Sequence, residues 1–209
     1  VLGIINDLAK ALTDNNTSLV NTYLQQLGRT AFFKKKKPTP YDEAISLVWY
    51  LENIFYQAAG RIILSLKSQF PDAVDKNNPV IRMGFWPGGD RDGNPFVTSE
   101  ITLEVADALR GSIIKCYYMD VRRLRRRLTF EGVEVLLQEL ENKLYNNLFI
   151  PGYKTNLKSD EILETLEKVK DIIIYQHNGL FLHMVNNLIS KIEIFGLHFT
   201  TLDIRQDSN

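Results

Sequence analysis

Apolar residues recur at helical spacing along most of the chain, and the breaks between these runs divide it into elements. Leu2, Ile5, Leu8 and Leu12 share one stripe and predict a helix over residues 2–12. Asn15, Asn16, Thr17 and Ser18 offer caps for a second helix carrying Leu19, Tyr23, Leu24 and Leu27, with Gly28 placed to end it. Residues 41–70 predict one long helix. Ile45, Val48, Trp49, Ile54, Phe55, Ile62 and Leu66 are among its apolar positions, Asp42 and Glu43 sit in its first turn, and Pro71 marks its end. Residues 99–128 predict another helix, with Thr98 or Ser99 as cap and Glu100 in the first turn. Thr129 is placed to cap the next, which bears Val133, Leu136, Leu137, Leu140 and Leu144, with Gly152 in the loop beyond. Two more are expected over residues 159–175 and 180–194, the second closed by Gly196.

Two stretches depart from this period. Residues 80–86 are apolar, β-branched and aromatic, as in a short strand. Residues 197–204 alternate in the same manner and deliver Arg205, Gln206, Asp207 and Ser208 at their carboxyl end. Strand ends carrying arginine and small polar groups are where a parallel α/β barrel builds its site. A barrel needs eight strands, so the expected fold is mainly α, with helices around a small part of an incomplete parallel (β/α) barrel and about two short strands.

Between the first strand and the helix at residue 99 lies a stretch that neither helix nor sheet interior accepts. Positions 86–95 hold three glycines, two prolines, two aspartates, an arginine and an asparagine. Gly88 and Gly89 permit positive φ and close approach to the main chain. Arg91 stands between Asp90 and Asp92, two carboxylates that can fix the direction of its guanidinium, and an oriented arginine suits phosphate or carboxylate. The plainer reading is a tight turn with its own side-chain to backbone bonds. The run from Asp90 to Asn94 is not a calcium loop, because its glycine comes two places early and no acidic residue closes it, and no P-loop lysine is present.

Composition narrows the classes further. The 209 residues are 44% apolar, enough for a sizeable core and most simply a single domain. Lys and Arg number 25 against 25 Asp and Glu, so there is no global pull toward nucleic acid or an anionic membrane. Cys116 stands alone and has no internal partner for a disulfide, and no apolar run approaches transmembrane length, which makes a cytoplasmic protein the default. The lysine run at 34–37 beside Pro38 and Pro40 reads as a solvated linker. Residues 121–128 hold five arginines, yet Val121, Leu124 and Leu128 keep the inward stripe. This helix end reads as an acid-paired face suited to the dipole, with an anion- or RNA-binding surface at Arg122, Arg123, Arg125, Arg126 and Arg127 as the alternative. His177, His183 and His198 form no metal-ligand spacing.

The segment Gly88-Gly89-Asp90-Arg91-Asp92-Gly93-Asn94-Pro95, with Trp86 before it and Val97-Thr98 after it, resembles a signature of the phosphoenolpyruvate carboxylase family. Leu202-Asp203-Ile204-Arg205-Gln206-Asp207-Ser208 resembles a second, and Pro38-Thr39-Pro40-Tyr41-Asp42-Glu43-Ala44 is similar to a family segment that opens a long helix. Pro87 and Phe96 stand where methionine and asparagine are common, and Asp207 where glutamate is usual.

The resemblance implies a large helical enzyme around an eight-stranded barrel. It would convert phosphoenolpyruvate and bicarbonate to oxaloacetate and phosphate with Mg²⁺ or Mn²⁺, as a homotetramer with no membrane or nucleic-acid partner. It assigns Arg205 to the phosphate-bearing ligand and Trp86 to a hydrophobic pocket for CO2 or bicarbonate. Arg91 is expected to order the loop and to help with bicarbonate, with Gly88, Gly89, Asp90, Asp92 and Asn94 around it. The family's Ala-His-Pro-Thr histidine lies upstream of this sequence, and its acidic metal ligands and arginine-glycine loop lie downstream. The expectation is an internal fragment, residues 1–209, without the catalytic histidine or metal ligands and without activity alone.

Overall fold

In a computed structural model the described residues are 1–31, 37–70, 80–92, 94–150 and 157–206, and they form two compact units, Val1–Pro38 and Thr39–Asn209. The first unit is a helical hairpin, α1 (Leu2–Thr13) and α2 (Thr17–Arg29). Asn15 takes φ 51 in the connection, and the Asn16 side chain accepts from the Leu19 N–H at 3.1 Å to start α2. Two short helices cover a narrow seam between them, and it falls on Ile4, Leu8 and Ala11 and on Val20, Tyr23 and Leu27. Leu2, Ile5 and Leu12, expected on the inward stripe of α1, are exposed, as are Leu19 and Leu24. Gly28 lies inside α2, which runs one residue further.

The second unit opens with α3 (Pro40–Tyr50), held by a reciprocal cap in which Thr39 Oγ1 accepts from the Asp42 N–H and Asp42 accepts from the Thr39 N–H. The helix continues through a π-helical turn, Leu51–Phe55, into α4 (Tyr56–Gln69). The reason is the spacing of the buried positions. Ala44, Val48 and Leu51 follow the α period, as do Tyr56, Ala59 and Ile63, but the step from Leu51 to Tyr56 is five residues. A wider turn absorbs the extra residue and keeps both stripes on the same face. Glu52 is thereby aimed at the next helix, accepting from Ser112 Oγ at 2.7 Å and Lys115 Nζ at 2.9 Å. Ile45, Trp49, Ile54, Phe55 and Ile62 remain exposed. Pro71 and Gly152 fall outside the described residues.

The central element is α5 (Ser99–Arg127), started by Thr98, whose Oγ1 accepts from the Ile101 N–H at 3.4 Å. Val105, Leu109, Ile113, Tyr117, Val121, Leu124 and Leu128 form one fully buried stripe, against which α3, the π turn, α6 and α8 pack. The next helix, α6 (Val133–Phe149), begins later than Thr129 would have it. The chain reverses through Gly132 at φ 80, a conformation threonine disfavours. Then come α7 (Ser159–Gln176) and α8 (Leu182–Phe195), close to their expected limits, with α7 between α6 and α8.

The strands are far shorter than expected. Among the described residues only β1 (Gly84–Phe85) and β2 (Thr201–Leu202) pair, in parallel, with Gly84 opposite Thr201 and Phe85 opposite Leu202. After α8 the chain turns rather than extends. Gly196 takes φ 52 and Phe199 φ 65, and Leu197 and Phe199 are driven into the core. Packing of two large apolar side chains outweighs the alternating pattern there.

The core contains a buried polar network around Lys191. Lys191, 2% exposed, places Nζ 2.8 Å from Asp120 Oδ2, and Tyr56 donates its hydroxyl to the same oxygen at 2.8 Å. Burial, then the Asp120 carboxylate, hold the Tyr56 phenol well above its ordinary pKa, so it stays a donor. Burial likewise pushes the Cys116 thiol up to about 12, which leaves it unreactive. In urea unfolding, Asp120→Ala is expected to cost about 3–5 kcal/mol because it strands a buried cation. Tyr56→Phe is expected to cost about 1 kcal/mol. Equal effects of the two would contradict a buried ion pair.

Candidate functional site at the strand ends

Where β1 ends the chain tightens, with the N–H groups of Gly89 and Asp90 both donating to the Trp86 carbonyl, at 2.9 and 3.1 Å. Both glycines are required by their surroundings. Gly88 takes φ 81, and a Cβ there would stand 2.6 Å from a Val105 methyl of α5. A Cβ on Gly89 would collide with the Asp203 carbonyl oxygen. With no side chain in the way, the parallel pairing continues past both strands. Asp203 N–H donates to Phe85 O at 2.8 Å, Arg205 N–H to Gly89 O at 3.1 Å, and Arg91 N–H to Arg205 O at 2.9 Å. Asp90 and Arg205 form an isolated parallel bridge. The glycine loop and the arginine at the end of β2, 114 positions apart in sequence, thus share a hydrogen-bonded main chain.

The side chains diverge from that shared frame. The Arg205 residue is exposed, and its guanidinium makes no hydrogen bond or ion pair among the described residues. Arg91 turns inward instead, with Nη2 donating to Thr102 Oγ1 at 3.3 Å. No ion pair joins it to Asp90 or Asp92 among the described residues, so the expected carboxylate clamp is replaced by a helix hydroxyl. Asp92 is exposed, while Asp90 Oδ1 and Arg91 Nε are buried without partners. Thr102 also lies 2.7 Å from Gly88 O and 3.0 Å from Thr98 O, tying the glycine turn to the first turns of α5. Asn94 is spent on the loop, its Oδ1 accepting from the Phe96 N–H at 3.2 Å. Hydrogen bonds from its own N–H and from the Thr98 hydroxyl, with a smaller contribution from Arg91, lower the Glu100 pKa at this helix start. Gly93 is outside the described residues.

Trp86 is 56% exposed. With Leu47, Tyr50, Phe55, Met83 and Phe85 it lines an apolar groove of about 450 Å³ between β1 and the π turn. Thr102, Tyr50 and Phe55 are site residues that the sequence patterns did not single out. The Thr98-x-x-x-Thr102 spacing, one helical turn, was the available signal for the first. At the far end of α5, Arg123 pairs with Asp120 at 3.2 Å and Arg125 with Glu141 at 3.0 Å. Arg122, Arg126 and Arg127 are exposed.

The arrangement is that of strand ends in a parallel α/β protein, where the main chains of a loop and of an arginine segment from two adjacent strands meet. The sequence profile of phosphoenolpyruvate carboxylase matches residues 5–154, and the chain belongs to that family. A phosphoenolpyruvate carboxylase of Shewanella halifaxensis is 30% identical over 222 residues, covering 89% of this chain and 25% of the relative. Those of Psychromonas ingrahamii and Vibrio vulnificus are each 26% identical, covering 98% of this chain and 27% of the relative. The chain spans about a quarter of the length of these curated relatives.

Replacing Gly89 by alanine is expected to push Asp203 away and open the bridge to Arg205. Faster hydrogen exchange at the Arg91 and Arg205 amides would report this, and unchanged protection would contradict the close approach. Thr102→Val is expected to destabilise the chain by about 1–3 kcal/mol by leaving buried polar groups unpaired.

Proposed function

We propose that this chain supplies part of the active site of a phosphoenolpyruvate carboxylase, the enzyme that joins phosphoenolpyruvate and bicarbonate into oxaloacetate and phosphate. The observation that carries the reading is the main-chain bridge between the glycine loop and Arg205, whose guanidinium has no partner among the described residues. Bicarbonate oxygen attacks the phosphoryl group and the bond from phosphorus to the enol oxygen breaks, giving carboxyphosphate and an enolate. Carboxyphosphate then splits into CO2 and phosphate, and the enolate carbon takes up the CO2.

In this reading Arg205 holds the phosphoryl oxygens with its planar fork, a geometry lysine lacks. Trp86 and the groove give CO2 an apolar place to wait where water is scarce. Arg91 acts from beneath, ordering the loop through Thr102, with Gly88 and Gly89 shaping the floor and Asp90, Asp92 and Asn94 its rim. The divalent metal of the whole enzyme, Mg²⁺ or Mn²⁺, would steady the enolate oxygen. Among the described residues no group of three or more His, Cys, Asp or Glu could hold it, so no step assigned to this chain runs through it. The whole protein is further proposed to be a cytoplasmic homotetramer. Among the described residues no helix is long and apolar enough to cross a membrane.

In the whole protein containing this chain, Arg205→Gln is expected to lower kcat/KM by roughly 10²–10³-fold, as loss of a charge-stabilising donor does, with the thermal midpoint unchanged. Arg205→Lys should recover little of it. Unaltered kinetics in Arg205→Gln would overturn the assignment. The 209-residue chain alone is expected to form no oxaloacetate in a coupled assay.

A further inference from the structure

Between α4, α5 and α8, on residues the strand-end site does not use, lies a second cavity of about 160 Å³. That is far more than the roughly 10–15 Å³ one water needs. Gln57, Asp120, Arg123, His183, Asn187 and Lys191 supply its polar lining. Its floor is the buried Lys191, and α4 gives up a side chain to admit it, since a Cβ on Gly60 would lie 2.6 Å from Lys191 Cε.

The hydrogen bonding of the lining is lopsided. Asp120 has both oxygens occupied, Oδ2 by Lys191 and Tyr56 and Oδ1 by Arg123 Nη1 at 3.2 Å. Gln57 Oε1 is taken by Lys191 Nζ at 3.1 Å, and the Gln57 amide NH2 has no partner among the described residues. The Asn187 amide NH2 and the remaining N–H groups of Arg123 also have none among the described residues. Two cations share one carboxylate, so the lining carries net positive charge and a surplus of donors. The Lys191 to Asp120 pair alone does not explain this arrangement, because well-packed apolar residues would hold three helices together as well or better.

We infer that this cavity binds a small oxyanion, a phosphate or carboxylate group held by Arg123, Gln57 and Asn187 above the Lys191 floor. The site lies apart from the Arg205 loop and does not depend on the carboxylase reading. Arg123 and His183 stand on its exposed side and leave it open to solvent.

Isothermal titration of the 209-residue chain with inorganic phosphate, and separately with acetate, at ionic strength matched with sodium chloride, tests this. Glycerol serves as the neutral control. One of the two anions is expected to bind saturably at about millimolar concentration, and Arg123→Gln to weaken it by at least about tenfold. Arg205→Gln should leave it unchanged, and which anion binds tells phosphate from carboxylate. Asn187→Leu, which sets an apolar side chain against the cavity and removes a donor without touching the ion pair, should also abolish binding and decides the matter if Arg123→Gln does not fold. Absence of saturable binding up to about 10 mM of either anion would overturn the proposal. So would binding that Arg205→Gln abolishes, or binding that Asn187→Leu leaves intact.

Discussion

Everything at the strand ends depends on a carbonyl oxygen meeting a residue that has no side chain. The Asp203 carbonyl occupies the space a Cβ on Gly89 would fill, and only because of that vacancy can Arg205 donate to Gly89 O and accept from the Arg91 N–H. Main-chain hydrogen bonds of this kind hold position more tightly than side-chain pairs, because no rotamer freedom remains to be frozen. The consequence is an arginine fixed at its backbone and, among the described residues, free at its tip, the condition for meeting an anion without prior loss of its own partner.

A two-residue pair of strands could not stand alone in water. Its rigidity is borrowed from the helices. Phe85 and Val97 anchor the two ends of the glycine loop in the core, and Leu197 and Phe199 do the same for the approach to β2. The helical unit therefore acts as the support of a small site. The loop carries the exposed polar groups while the buried helices and the turn before β2 carry the packing.

Periodicity located the helices because apolar residues at 3.6 spacing must be buried on one side, and α5, α7 and α8 fall within one to two residues of their expected ends. It failed where one residue breaks the count. The five-residue step from Leu51 to Tyr56 is invisible in a long apolar-rich window, yet it creates the π turn that aims Glu52 and shapes the Trp86 groove. Thr129 looked like a cap, but the backbone there needed the left-handed residue Gly132 supplies. The alternation at 197–204 mimicked a strand because Leu197 and Phe199 are buried by turning, not by pleating. Family resemblance drew attention to the glycine loop and Arg205, whose main chains meet. Thr102 was not, since its contacts with Gly88 and Arg91 exist only once the loop has folded back on α5. Lys191 counts as a surface residue in any hydropathy pattern, and only Gly60, a mid-helix glycine with no local reason to be there, hinted at it.

One helix sets the relation between the two halves of the site. At its start, Thr102 reaches the Gly88 carbonyl of the glycine loop at 2.7 Å. Fifteen residues on, about 22 Å along an ideal helix axis, the Tyr117 hydroxyl donates to the Gly196 carbonyl at 2.7 Å, fixing the turn from which β2 departs. Burial holds the Tyr117 phenol well above its ordinary pKa, so that donor persists across the whole physiological range. Each strand thus takes a position from α5 as well as from the other strand, so a relative slip of β1 and β2 would have to break contacts to a helix whose inward stripe is fully buried. The separation of Arg205 from the glycine loop is set by a rigid bar rather than by two strand pairings alone, and that explains how so little sheet can hold so definite a corner.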